Sequence, residues 1–584
     1  MRRPDRAPRV SDIDGANDGA NDGANDGASA PRSPRGIVAA AGLVAVVTLL
    51  ARMVGFGRWL EFSRSVGATC VGTVYQSANS LPNVLFEVAA GGALAAVAVP
   101  LIGGALGSGR RTEADRIGSA LLTWTLALLV PCSVVLVVLA PRAASLLVGE
   151  GACPGSRDLA TTMLRLFAPQ VPLYGLGIVL GGILQSHRRF LAAALAPLLS
   201  SLVVIGSYTA YGRLADGARS IENVPAQAVL VLAGGTTAGV VLLSLPLVVP
   251  VLRLGIRLRP TFRFPSGVAR RLGSLAGAGL LALVAQQYAV LATLVTTRRA
   301  GTGVLNVSTY VQTLYLLPYA VLAVPLAVSA FPALATMAGA AGARGGSPET
   351  PELVRRSGPR TDDVAPVLAR TLRATVLLGF AGAGLLAAVA TPLGTFFGEL
   401  DAGRTGAGGR SALVELPNAL LALVPGLPAF CVAALLTRAL YVRGRPLLAG
   451  AAVAGGWLLA GSVPLVLVPP GSTPGRALVV LGLASSVGLT LAGLELAAAT
   501  ARAWGHEALS GLRRATAAGL VAALVAAAAG TVLTRVWVVT GLLPAVTQAV
   551  VVGVVALALL VVVMGSVDRP TAQLVLRQVR RSGS

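Results

Sequence analysis

Lysine is absent from the 584 residues, so all 47 basic side chains are arginines, and only 24 acidic residues oppose them. Two histidines, His187 and His506, and four cysteines without CxxC spacing supply no clustered ligand set, so neither a metal nor any other cofactor is expected. No Gly-rich loop has the spacing that cradles phosphates, which leaves an ATP motor to a separate subunit. Charged residues make up only 12% of the chain, too few for a string of soluble domains. The net charge of +23 would suit nucleic acid, but the arginines fall in short gaps between apolar runs rather than on a polar face, so no nucleic-acid partner is expected. Avoidance of lysine beside abundant Ala, Gly, Val, Leu and Arg is a codon effect and points to a GC-rich, bacterial genome.

What fills the chain is apolar: 55% hydrophobic residues and a mean hydropathy of +0.76 place it in a bilayer. A spanning helix needs about 20 apolar residues. Fourteen such stretches are predicted, near 37–66, 72–106, 117–140, 158–185, 189–212, 226–253, 272–299, 303–339, 374–397, 414–442, 446–469, 476–500, 515–540 and 542–566. The fold class is therefore all-α integral membrane. Arginine falls roughly three times as often on the side that carries both termini, which predicts that N- and C-terminus lie in the cytoplasm.

Residues 1–35 are polar, with a Gly-Ala-Asn-Asp repeat from Gly15 to Asp26, and read as a disordered tail. The apolar run begins only at Ile37, so a cleaved signal peptide is not expected. A cytoplasmic linker is predicted at 340–373 and a basic tail at 567–584. Of the cysteines, Cys70 and Cys153 both fall near the outer face, where they could pair or stay apart.

Several residues are out of place in lipid. The first span is apolar for only 14 residues, Ile37 to Leu50, so the helix must run on through Arg52. An arginine at the bilayer centre costs at least about 2.5 kcal/mol and should face water or a partner. Arg58 follows six residues later, about 120° round the helix, with Gly55 and Gly57 between them. Two cations without close acids make an anion site. The alternative is that Arg58 reaches the interface and pairs with Glu61 while Arg52 bonds buried carbonyls. Arg165 and Arg438 also lie within spans. The second span holds Pro82, Asn83 and Glu87; Glu87 reads either as a protonatable switch or counter-charge to Arg52, or as an interfacial acid. The eighth holds Gln312, Thr313 and prolines 318, 325 and 332 on one face. Gln286 and Gln287 in the seventh read as interhelical hydrogen-bond partners.

At these residues the chain resembles the MurJ/MviN lipid II flippases of the multidrug/oligosaccharidyl-lipid/polysaccharide exporter superfamily. The resemblance rests on Ala51-Arg52-Met53-Val54-Gly55-Phe56-Gly57-Arg58, Leu81-Pro82-Asn83-Val84-Leu85, Gly92-Ala93 and Val99-Pro100. Leu184 to Phe190 followed by Ala194-Leu195-Ala196-Pro197, Gly426 to Phe430, and Arg438 to Gly444 extend it. It implies two six-helix lobes around a central cavity (36–253 and 254–500) plus two C-terminal helices (501–566), working by alternating access. The implied substrate is an undecaprenyl-pyrophosphate-linked cell-wall precursor, with Arg52 and Arg58 on the pyrophosphate, Glu87, Asn83 and Gln312 as further cavity or coupling residues, and the last two helices offering a groove to the isoprenoid. Membrane lipids and cell-wall synthesis proteins are the other implied partners, the bacterial cytoplasmic membrane the location, and no enzymatic reaction is expected.

The family pattern is also broken in the cavity. Its acid early in the second span falls on Thr73, its basic pair after Leu-Pro-Asn on Phe86 and Glu87, and its Asp-Arg pair in the eighth span on Gln312 and Thr313. The seventh and eleventh spans carry no acid, so sodium coupling is not expected. A non-transporting scaffold and a cation-coupled drug exporter are the competing readings.

Overall fold

The computed structural model describes residues 34–149, 153–216, 218, 220–264, 268–323, 361–403 and 406–567, and every regular element among them is helical. Eleven of the described helical stretches are long and apolar enough to cross a membrane, and each coincides with a predicted span. The three other predictions correspond to α1 (Pro34–Ser65), to α2 (Cys70–Phe86) continuing through a π turn (Glu87–Gly91) into α3 (Gly92–Gly107), and to α11 (Val304–Pro318) with its π turn (Tyr319–Ala323). The polar repeat, residues 340–360 of the predicted linker, Pro325, Pro332 and residues 568–584 lie outside the described residues.

Between them run α4 (Arg111–Leu147), α5 (Ser156–Phe167), α6 (Gln170–Ser186), α7 (Phe190–Leu214), α8 (Ala226–Ser244), α9 (Val248–Arg253) and α10 (Val268–Ala300). After residue 360 come α12 (Thr361–Ala388), α13 (Ala390–Asp401), α14 (Ala407–Leu413), α15 (Leu416–Leu423), α16 (Leu427–Val442), α17 (Pro446–Leu467), α18 (Pro474–Trp504), α19 (Leu512–Val536) and α20 (Leu542–Val567).

Proline sets the boundaries that the apolar runs concealed. The predicted 374–397 span is two helices, because Pro392 has no N–H to bond the carbonyl four residues back and the chain turns at Val389. Its first helix starts at Thr361, so residues 361–373 of the predicted linker are helical, with Leu368 and Leu372 buried. The 414–442 span is likewise divided near Pro417, Pro425 and Pro428, and 158–185 is interrupted at Ala168 and Pro169.

Small residues bring the helices together. A Cβ at Gly456 of α17 would collide with the carbonyl of Gly488 on α18, and a Cβ at Gly488 with that of Gly456, so the two backbones touch only because both side chains are missing. Hydroxyls inside helices mostly donate to the carbonyl four residues back, as Ser77 does to Thr73, which hides them from lipid.

Candidate functional site

α1 carries both predicted cations without a break. Arg52 lies about 20 Å along the axis from Ser65, and Arg58 about 10 Å. Arg52 is nevertheless exposed, while Arg58 is half-buried and its Nε is buried without a hydrogen-bond partner. Its guanidinium carbon stands 5.4 Å from the centroid of the Trp59 ring. A Cβ at Gly55 or Gly57 would meet nothing within 4 Å, so the flank of α1 between the two arginines is open.

Glu61 does not neutralise Arg58. Its carboxylate accepts from Ser65 Oγ and, at 2.9 Å, from Thr209 Oγ1 on α7. Among the described residues neither Arg52 nor Arg58 forms an ion pair with an acid. Glu87 is half-buried at the first residue of the π turn and forms no ion pair with Arg52, which removes the counter-charge alternative and leaves the switch and the interfacial acid open. Asn83 turns Nδ2 onto the carbonyl of Asn79 at 3.0 Å, and Gln312 on α11 is exposed.

The two arginines act electrostatically on different groups. Arg58 is within electrostatic reach of Tyr75, Tyr174 and Tyr208, and Tyr75 and Tyr208 belong to an aromatic cluster with Phe62 at ring distances of 5.3–6.0 Å. Arg52 instead shares electrostatic reach of Tyr319 with Arg438 of α16, while the Tyr319 ring lies 4.5 Å from that of Phe430. Arg438 carries the same sequence signal as Arg52, an arginine in an apolar stretch, but that signal alone assigns it no role.

Phe56, between the two cations, opens onto a groove of about 490 Å³ whose lining is wholly apolar. Leu385 and Val389 of the α12 end, Phe396 of α13, and Val550 and Leu557 of α20 form its walls. Cationic and greasy surfaces thus meet on one helix.

Cys70, at the start of α2, is disulfide-bonded to Cys153 before α5, with Cα atoms 6.2 Å apart, which resolves the pairing that the sequence left open. Cys132 and Cys431 are free.

Compared with solved structures, the chain is similar to a lipid II flippase MurJ in an inward closed conformation, at 16% identity and a TM-score of 0.65, over 90% of this chain and 99% of the other. It is also similar to an inward-facing multidrug resistance MATE family transporter of the MOP superfamily, at 15% identity and a TM-score of 0.57, over 80% and 95%. At these identities the likeness concerns the fold. In sequence it is 31% identical over 240 residues to a probable lipid II flippase MurJ of Synechocystis sp., covering 40% of this chain and 44% of that one. It is 28% identical over 302 residues to the lipid II flippase MurJ of Burkholderia cenocepacia, covering 50% and 55%. The chain spans about half the length of these curated relatives. The family model described as lipid II flippase MurJ matches residues 62–548, most of the chain, and the protein therefore belongs to the MurJ lipid II flippase family, as a multi-pass membrane protein of the MOP-type helical fold.

Proposed function

We propose that this protein moves an undecaprenyl-pyrophosphate-linked peptidoglycan precursor from the inner to the outer leaflet of the bacterial cytoplasmic membrane by alternating access. Residues 36–253 and 254–500 act as the two lobes, and 501–566 as the added pair of helices. One observation carries the reading: α1 presents two acid-free arginines, and Phe56 between them opens onto an apolar groove. A lipid with a doubly charged headgroup and a long isoprenoid matches both surfaces. Guanidinium forks suit phosphate oxygens, and a buried Nε with no protein partner has a donor to give. The groove takes part of the chain while the headgroup crosses.

The disulfide supports the orientation. Cys70–Cys153 ties two segments on the face that carries the α1–α2 turn, and disulfides persist where the compartment is oxidising. That face is then extracytoplasmic, and both termini are cytoplasmic, in agreement with the distribution of arginine. Cell-wall synthesis proteins are the natural neighbours of such a step.

The test is complementation in cells depleted of their own flippase, with a leaflet-accessibility assay for the precursor. Wild-type protein should restore growth and outer-leaflet precursor; R52A and R58A should not. Well-expressed wild-type protein that fails in both assays would favour the scaffold, and export of cationic drugs without precursor transport would favour the exporter.

A further inference from the structure

On the face of the α1–α2 turn, first-half and second-half residues are joined by hydrogen bonds concentrated in one short stretch, 67–73. The backbone N–H of Ala68 donates to Oδ2 of Asp401 at 2.7 Å. Asn306 Nδ2, on α11, donates to the carbonyl of Gly67 at 2.8 Å. The N–H of Gly303 donates to Thr73 Oγ1 at 2.9 Å. Beside them, Arg298 Nη1 donates to the carbonyl of Leu146 at the end of α4, at 2.6 Å.

Asp401 is the unusual member, a carboxylate with no exposed surface at the end of α13. A buried charge needs compensation, and part of it comes from the amide N–H of Ala68, two residues ahead of Cys70 at the N-terminus of α2, where the helix dipole is positive. The surrounding residues are shaped for this contact. Gly67 has φ +70°, a conformation that L side chains rarely adopt, and a Cβ there would collide with Oδ1 of Asp401. A Cβ at Gly72 would strike the carbonyl of Gly67 and lie 2.7 Å from Nδ2 of Asn306. The fit thus depends on two glycines, an Asn and an Asp drawn from distant parts of the chain.

We infer that Asp401 is the positioning residue that latches the outer gate, its carboxylate holding the α1–α2 turn shut, and that the Cys70–Cys153 disulfide makes this turn and the segment before α5 a single jaw that opens as one block. The inference rests on the alternating-access reading above. Opening this face must take Ala68 away from Asp401 and let water reach the carboxylate. A cavity of about 350 Å³ lies next to the latch, between Cys70–Cys153, Thr73 and Ser77 on one side and Arg298, Thr302 and Leu305 on the other. The disulfide transmits the motion because it fixes the start of α2 to the chain that enters α5.

Amide hydrogen–deuterium exchange on the full-length protein in lipid nanodiscs tests this. Replacing Asp401→Ala removes a charge-assisted bond and should speed exchange across 66–74 and 301–306 by about tenfold or more, leaving α17–α18 unchanged. D401N keeps an oxygen that accepts from Ala68 and should fall between D401A and wild type. G67A, which forces Oδ1 away, should match D401A. With the disulfide intact, 153–159 should quicken together with 66–74 in D401A; after reduction, 66–74 should quicken alone. If D401A is not recovered folded, G67A and D401N carry the same comparison. Wild-type exchange at 66–74 in the variants obtained would overturn the latch, and a reduced D401A or G67A protein that behaves as the oxidised one would overturn the single jaw. The measurement needs no substrate. Failure of precursor transport beside the expected exchange pattern would count against the flippase reading alone.

Discussion

The hydroxyl of Tyr75 on α2 lies 2.9 Å from the hydroxyl of Tyr208 on α7, and both rings are buried within electrostatic reach of Arg58. Tyr75 also reaches Thr236 Oγ1 of α8 at 2.8 Å, so one phenol ties three helices. Y75F removes the shared oxygen and leaves Tyr208 short of a partner, at a cost of about 1–3 kcal/mol. Thermal unfolding in detergent should show a lower Tm. Y75F/Y208F should lose less than the sum of the single changes, because neither ring then carries an orphaned group; strict additivity would mean that the pair is not coupled.

Arg52 and Arg58 should respond differently to lysine. Arg52 is exposed, so R52K keeps a cation in the open flank of α1 and should retain part of the complementing activity. Arg58 has its Nε buried and stands over Trp59, and a lysine offers neither the fork nor the planar stack. R58K should complement less well than R52K at matched expression, and the reverse order would remove Arg58 from the headgroup site.

The groove beside Phe56 can be filled without touching either cation. Gly553 lines it, and a Cβ there would make only ordinary contacts, at 3.7 Å from Val389 and 3.8 Å from Leu385. G553L should therefore fold. It should slow transport of the long-chain precursor while binding of a short-chain pyrophosphate analogue stays at the wild-type level. Equal loss for both would separate the groove from the tail.

Composition and periodicity made the helices legible, since an apolar run of about 20 residues has few other fates. The breaks were less so. Pro392 and Pro425 lie within largely apolar sequence, and hydropathy does not register a missing N–H. Arg52 and Arg58 stand out because arginine is rare in lipid, and the structure pairs neither with an acid and sets them within electrostatic reach of different tyrosines. Asp401 gave no such signal. It falls in a short polar stretch after a span, where acids are ordinary, and its burial depends on Gly67, Ala68 and Asn306, which are 95 or more positions away. Long-range partners of this kind leave no spacing to read; the same holds for Cys70 and Cys153, 83 positions apart.

Packing of α17 on α18 should be intolerant of even one methyl group. A Cβ at Gly488 meets the Gly456 backbone, and rigid backbone cannot yield as a flexible side chain would. G488A should cost about 1–3 kcal/mol, read as a lower Tm in detergent, with G456A similar. The double variant should be worse than either, since each new methyl pushes on the other's helix. A wild-type Tm for G488A would show that the two helices separate freely.

Thiol counting tests both the disulfide and the orientation of the chain. Denatured without reductant, protein from wild-type cells should expose two reactive thiols, Cys132 and Cys431, and four after reduction, because Cys70 and Cys153 are joined. C70S should expose three without reductant, the third being Cys153. The bond closes a long loop, so by the chain-entropy account its loss should lower stability by about 2–4 kcal/mol and the Tm with it. If the α1–α2 face is extracytoplasmic, protein made in cells that lack their extracytoplasmic thiol-oxidising catalyst should show all four thiols at once. Were the face cytoplasmic, the glutathione pool would keep the pair reduced in either strain, and the count would be four in both.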